Sequence, residues 1–159
     1  KLTGHNERVY QIIFSEDGEY MLSVGQSIIL WESSSGLKIG NLVGSIGYNT
    51  NVSITPLTNS AFSYSNGNIT FWEIPSRSVK FDLPVDGWLE VLAISPDEKL
   101  LVGITYDGKL LAWDMETRKM IPTTDMVPSV MWLTGLEFTS DGKNILMMSS
   151  GCVTLFGVP

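Results

Sequence analysis

One histidine, His5, and one cysteine, Cys152, are the side chains of this sequence suited to proton transfer or nucleophilic attack near neutral pH. A histidine acting as general base needs a nucleophile beside it, and no Gly-x-Ser-x-Gly elbow accompanies His5. Asp82, Asp86 and Glu90 recur every four residues, a spacing that on a helix would line one face and pair an acid with a base. The surrounding pattern instead puts them on a loop between strands, where that spacing gives no shared face. Gly40, Gly44 and Gly47 lack the Gly-Lys-Ser/Thr ending of a phosphate loop and read as turn glycines. A single Cys and a single His cannot supply a structural zinc site or an intramolecular disulfide, so neither scaffold and no cofactor is expected. Cys152, in a strand hairpin, reads as a small buried apolar group. Asn51-Val52-Ser53 and Asn68-Ile69-Thr70 fit the glycosylation pattern, which matters only in a secreted protein.

Charge narrows the partners. Ten Lys and Arg against seventeen Asp and Glu leave a net charge of -7, so a phosphate-binding surface would work against the overall field and nucleic acid is not expected. The 159 residues, 43% of them apolar, suffice for one core. The most apolar stretch, residues 126–138, is broken by Pro128 and Gly135 and falls short of the roughly 20 residues of a spanning helix. The chain reads as soluble, without membrane insertion. It opens at Lys1, in mid-pattern and without an initiator Met, which points to a piece of a longer polypeptide.

The elements that position any site come from an internal repeat. Trp31, Trp72 and Trp113 each lie late in a short apolar segment, 41 residues apart, and Phe156 takes the same place 43 residues further on. A second marker, an apolar residue followed by a hydroxyl and a turn, recurs at Ser15, Thr55, Ser95 and Thr139, with spacings of 40, 40 and 44. A period near 41 falls in the range of four-stranded propeller blades. Within each period apolar side chains alternate, so the segments predict strands: 9–14, 20–24, 28–31 and 37–42 in the first. Asp17-Gly18, Asn66-Gly67, Asp107-Gly108 and Asp141-Gly142 are hairpin signals. No segment predicts a helix. Such sheets cannot bury both apolar faces alone and need neighbours on each side.

These residues resemble the tryptophan-aspartate (WD) repeat β-propellers, over essentially the whole chain. The resemblance rests on Gly4-His5, on the Phe-Ser-x-Asp-Gly turn at 14–18 with its cousins at 94–97 and 138–142, and on Trp113-Asp114. It implies an all-β propeller of about four blades of four antiparallel strands, over residues 4–43, 44–83, 84–127 and 128–159, with residues 1–3 as the tail of an outer strand. The second and fourth units depart from the pattern, with Trp72-Glu73 and Phe156-Gly157 in place of Trp-Asp. The family's structural tetrad of His, Ser, Asp and Trp carries over only in part. Unit one has His5, Ser23 and Trp31 but Gly25-Gln26-Ser27 where the Asp turn would stand, and unit three has Asp107 and Trp113 without a His. Rigidity must then rest mainly on apolar packing, with Trp31, Trp72, Trp113 and Phe156 in the core. Because the family most often closes its ring with about seven blades, part of a larger ring of seven or eight is expected. A closed four-bladed ring latched by residues 1–3 and a symmetric pair are the alternatives, and bare edges would favour self-association.

Aligned on the hydroxyl marker, Arg8, Tyr48, Trp88 and Trp132 occupy one repeat position just before each first strand. These types dominate binding hot spots, so they form a candidate rim for docking a peptide or protein loop; the alternative is that they fill seams between blades. Asp86, Glu90, Tyr106 and Asp107 lie around this rim and would favour a basic segment in the partner. The expected function is a non-catalytic scaffold for protein–protein interaction in a larger polypeptide or complex, in a reducing, cytoplasmic or otherwise intracellular compartment. An enzyme using the central channel and a purely structural propeller are the other readings.

Overall fold

The computed structural model describes residues 1–42, 50–123, 127 and 133–158. Among the described residues the regular structure is entirely strand, in two compact units, Lys1–Pro84 and Val85–Pro159. No helix among them is long and apolar enough to cross a membrane.

In the first unit, β1 (Gln11–Phe14), β2 (Tyr20–Val24), β3 (Ile28–Glu32) and β4 (Lys38–Asn41) form one four-stranded sheet in chain order. A second sheet follows from β5 (Thr50–Ile54), β6 (Ser60–Ser65), β7 (Asn68–Glu73) and β8 (Val79–Pro84). In the second unit, β9 (Leu89–Ile94), β10 (Leu100–Thr105), β11 (Leu110–Asp114) and β12 (Lys119–Ile121) form a third sheet. The fourth has three strands, β13 (Leu133–Phe138), β14 (Asn144–Ser149) and β15 (Cys152–Gly157). Every pairing is antiparallel between chain neighbours, because short turns let each strand fold back on its predecessor.

The turns repeat with the sequence. Between third and fourth strands a left-handed step falls at Gly36, Arg77 and Arg118, with φ of 71°, 64° and 57°. Asn66 and Gly67 both take positive φ (51° and 78°) between β6 and β7, the backbone a two-residue hairpin requires.

Register sets the faces. Met21 lies opposite Trp31, Ala61 opposite Trp72, Leu101 opposite Trp113 and Ile145 opposite Phe156. In the first unit Leu22, Val24, Ile28 and Leu30 from one sheet pack with Val52, Ala61 and Trp72 from the next. Met21, Ile29 and Trp31 form a separate cluster on the opposite face of the first sheet. In the second unit Val91, Ala93, Val102, Ile104 and Ala112 pack with Leu133, Leu136, Ile145 and Met147, and Phe156 joins them partly buried. Since burying one such aliphatic side chain stabilises by roughly 1.5–3 kcal/mol, these faces outweigh any one hydrogen bond.

Several expected boundaries shift. Val9 lies outside β1, although Tyr10 N still donates to Val24 O (2.9 Å) and carries the ladder one residue beyond it. β4 spans 38–41 rather than 37–42. Asp82 lies in β8 and Glu90 in β9, so of the three evenly spaced carboxylates only Asp86 is on the connecting loop. Cys152 is exposed, not buried: alternation along β15 turns Cys152, Thr154 and Phe156 to one face, and at the strand's first residue that face is uncovered.

Candidate functional site

The loops are held by one recurring device. Ser15 Oγ donates to Asp17 Oδ1 (2.5 Å) and accepts from Tyr20 N (3.0 Å), while Asp17 Oδ1 also accepts from Glu19 N (2.9 Å). Ser95, Asp97, Lys99 and Leu100 repeat this arrangement, and so do Thr139, Asp141, Lys143 and Asn144. In the second sheet Leu57 stands where the Asp would be. There Thr55 bonds Thr58 (3.0 Å), and Asn59, at φ 44°, donates from Nδ2 to Asp17 Oδ2 (2.8 Å), tying the second sheet's turn to the first's. The Ser/Thr-x-Asp spacing was visible in the sequence; the Asn59 link had no local signal.

Each of these carboxyls is held below the ordinary aspartate value of 3.8, first by the hydroxyl of its own turn and then by the backbone N–H two residues on, with Asn59 adding to Asp17. As pH falls, the unfolded chain therefore takes up these protons first. The stability they contribute is complete above the ordinary value and is lost as pH drops through the lowered ones. Urea midpoints followed from about pH 6 to about pH 2 are expected to fall less steeply in the triple variant Asp17→Asn, Asp97→Asn, Asp141→Asn than in the wild type. An unchanged slope would show that the turns carry no proton-linked stability.

A polar chain anchors the first sheet's outer cluster. Ser23 Oγ accepts from Trp31 Nε1 (2.7 Å) and lies 2.6 Å from His5 Nε2. Gly4 leaves room for the Trp31 ring, since a Cβ there would lie 3.1 Å from Cη2, and a Cβ on Gly25 would meet Arg8 O at 2.9 Å. Burial, helped by the Lys38 charge and opposed by the Ser23 hydrogen bond, holds His5 below its ordinary 6.5. It packs and bonds within the fold, and no second acid or base pairs with it among the described bonds. At the same register position the second sheet has Ser63, buried and without a hydrogen-bond partner among the described residues. The third sheet has Gly103 there and the fourth Met147. Asp107 accepts from Thr105 Oγ1, which in turn accepts from Lys109 N (2.9 Å), so this carboxylate is set by its own hairpin.

The residues proposed for recognition divide. Tyr48 and Trp132 lie outside the described residues. Arg8, in the first unit, is exposed. In the second unit Trp88 and Tyr106 are 79% and 83% exposed, and Tyr106 N donates to Trp88 O (2.8 Å) just past the last paired residues of β9 and β10. Asp86 and Asp107 are exposed beside them. Glu90 is half-buried and its Oε1 accepts from Leu133 N (3.0 Å), joining β9 to β13. That role was not legible in the sequence, because its partner lies 43 residues away. Trp31, Trp72 and Trp113 are buried. Among the described residues no three His, Cys, Asp or Glu side chains converge as a metal site.

Comparison with known proteins agrees with this picture. Residues 1–32 match the family described as WD domain, G-beta repeat. Over 153 residues the chain is 25% identical to eukaryotic translation initiation factor 3 subunit I of Debaryomyces hansenii, covering 91% of this chain and 43% of that protein. It is 28% identical over 127 residues to the same subunit of Emericella nidulans, covering 67% and 38%. For Candida albicans the figures are 26% over 107 residues, covering 65% and 31%. The chain thus spans less than half the length of these relatives. The matched repeat at residues 1–32, the antiparallel sheets with their aromatic in a fixed register, and the recurring hydroxyl–carboxylate turns make this chain similar to the WD-repeat proteins and consistent with a segment of a WD-repeat propeller.

Proposed function

We propose that the chain is a non-catalytic platform for protein–protein contacts, working in the cytoplasm as part of a larger assembly. Its mechanism is pre-organisation: hydrogen-bonded turns on stacked sheets hold short loops in place, so a partner pays little ordering entropy. The observation that carries this reading is the exposure of Trp88 and Tyr106, two large aromatic residues left 79% and 83% exposed and joined by a backbone hydrogen bond. Large aromatic side chains left this exposed mark interaction sites more often than inert surface. The contact residues are Trp88, Tyr106, Asp86, Asp107 and Trp132 in the second unit and, at the matching repeat positions, Arg8 and Tyr48 in the first. The repeats run as blades over residues 4–43, 44–83, 84–127 and 128–159 of a larger ring. The relatives are named as a subunit of a translation initiation factor, which supports a translation initiation complex as the setting.

The test is reconstitution of the full parent chain with the other subunits of translation initiation factor 3 from its own source. Wild-type protein is expected to co-migrate with the assembly, and the double variant Trp88→Ala, Trp132→Ala to lose capture with unchanged melting. Wild-type protein that migrates alone overturns the reading, and a large drop in melting temperature of the double variant assigns these side chains to seam packing instead.

A further inference from the structure

We propose that Asn66 is a site of spontaneous covalent modification: it closes on the Gly67 nitrogen to a succinimide, which opens to a mixture of aspartate and isoaspartate. None of the docking residues takes part. Asn66-Gly67 is the Asn-Gly step of the sequence and forms the two-residue turn between β6 and β7, just beyond the last paired residues, Ser65 and Asn68. Asn66 is exposed, and neither its side-chain amide nor the Gly67 N–H has a hydrogen-bond partner among the described residues. Three Asp-Gly turns differ. Gly18 N donates to Ser15 O (2.9 Å), Gly108 N to Thr105 O (2.8 Å) and Gly142 N to Thr139 O (2.8 Å). The carboxylate before each glycine is held as well, by Ser15, Thr105 and Thr139. The groups that must meet to close the ring are tied down in those turns and free at residues 66–67.

Backbone geometry favours the closure. The five-membered ring needs Asn66 Cβ eclipsed with the Gly67 nitrogen, which at positive φ sets ψ of Asn66 at about −120°, the first central position of a type II′ turn. Asn66 and Gly67, at φ 51° and 78°, stand in the type I′ arrangement. Rotating the one peptide between them converts I′ to II′, and because neither end of that peptide is bonded among the described residues, the Ser65–Asn68 pair stays in place. Gly67 also has no side chain to shield its nitrogen. Hydroxide takes the Gly67 amide proton and the nitrogen attacks Asn66 Cγ. The N–Cγ bond forms, the Cγ–Nδ2 bond breaks, and Nδ2 leaves as ammonia, the loss that makes asparagine thermolabile. Water then opens the ring. Cleavage at Cγ restores an ordinary main chain ending in an aspartate side chain. Cleavage at the Asn66 main-chain carbonyl routes the chain through Cβ and Cγ, adding one carbon to a turn whose twist must match its strands, in the hairpin that carries Phe62 and Phe71.

The experiment incubates the full parent chain, folded and in urea, at mildly alkaline pH in heavy-oxygen water. Peptides are mapped by mass spectrometry, and isoaspartate is scored with an isoaspartyl carboxyl methyltransferase. Position 66 is expected to take up the heavy oxygen first, in both products. Its rate in the folded chain should lie within about 10-fold of that in urea, because a turn tip opens at little cost in free energy. Asn59, whose amide is bonded to Asp17, and Asn68, followed by the buried Ile69, should stay intact over that time. Asp17, Asp107 and Asp141 should isomerise in urea and not in the folded chain, since folding bonds the glycine N–H after each. The purified isoaspartate form should melt below the Asn66→Asp variant, which carries the same charge on an ordinary main chain. Aspartate as the sole product, a folded-state rate more than about 10-fold below that in urea, or loss at Asn59 or Asn68 as fast as at Asn66 overturns the proposal. Equal melting of the isoaspartate form and the variant overturns the cost to the hairpin.

Discussion

Replacing Phe71 with alanine is expected to destabilise the protein by about 3–5 kcal/mol, more than removal of any other phenylalanine of the second sheet. Phe71 is the middle ring of a ladder that crosses three strands, because register sets Phe62 opposite it on β6 and Phe81 opposite it on β8. The ring centroids lie 5.2 Å and 4.6 Å away with interplanar angles of 24° and 19°. Those distances suit offset stacking, which adds about 0.5–1.5 kcal/mol per pair beyond area burial. Phe71 is 2% exposed, so alanine opens a cavity and removes both stacks together. Phe81, at the outer strand and only half-buried, makes one of these stacks and should cost roughly half as much when truncated. Urea unfolding of the two single variants and their double settles it. Phe71→Ala costing no more than Phe81→Ala would mean the ladder is ornamental to stability.

The second large effect changes sign between two copies of the same repeat position. Ser23→Ala is expected to destabilise by about 1–3 kcal/mol, because it strips the acceptor from the Trp31 indole N–H inside a buried cluster and leaves His5 unpaired as well. Ser63→Ala, two residues past the partner of Trp72 as Ser23 is two past the partner of Trp31, is expected to be neutral or stabilising. Its hydroxyl is fully buried without a partner among the described residues, so a methyl group relieves a desolvation penalty and loses no bond. Thermal melts of both variants check the pair. Destabilisation of equal size at both sites would show that the polar chain at Ser23 contributes nothing beyond packing.

Much of the local structure was legible in the residues. The hairpins at Asn66-Gly67 and Asp107-Gly108, the alternating segments and the 41-residue spacing of Trp31, Trp72 and Trp113 all depend on backbone geometry and side-chain direction over a few residues. The strand ends were less so: whether Val9 joins β1 depends on which backbone groups the partner strand offers, not on Val9 itself. Sidedness misled at Cys152, a residue type usually buried, which here opens β15 exposed.

From the chain alone came the repeat, the strands, the turns and the expectation that sheets of this kind stack, because each follows from local alternation and from the few residues that accept a left-handed step. Only tertiary structure separated side chains of the same type. It buried Trp113 and bared Trp88, bonded Ser23 and stranded Ser63, and drew Glu90 into the link between β9 and β13 while leaving Asp86 in solvent. The reason is physical: exposure and hydrogen bonding are set by what another strand, dozens of residues distant, brings against a side chain, and the side chain's own neighbours in sequence do not contain that information.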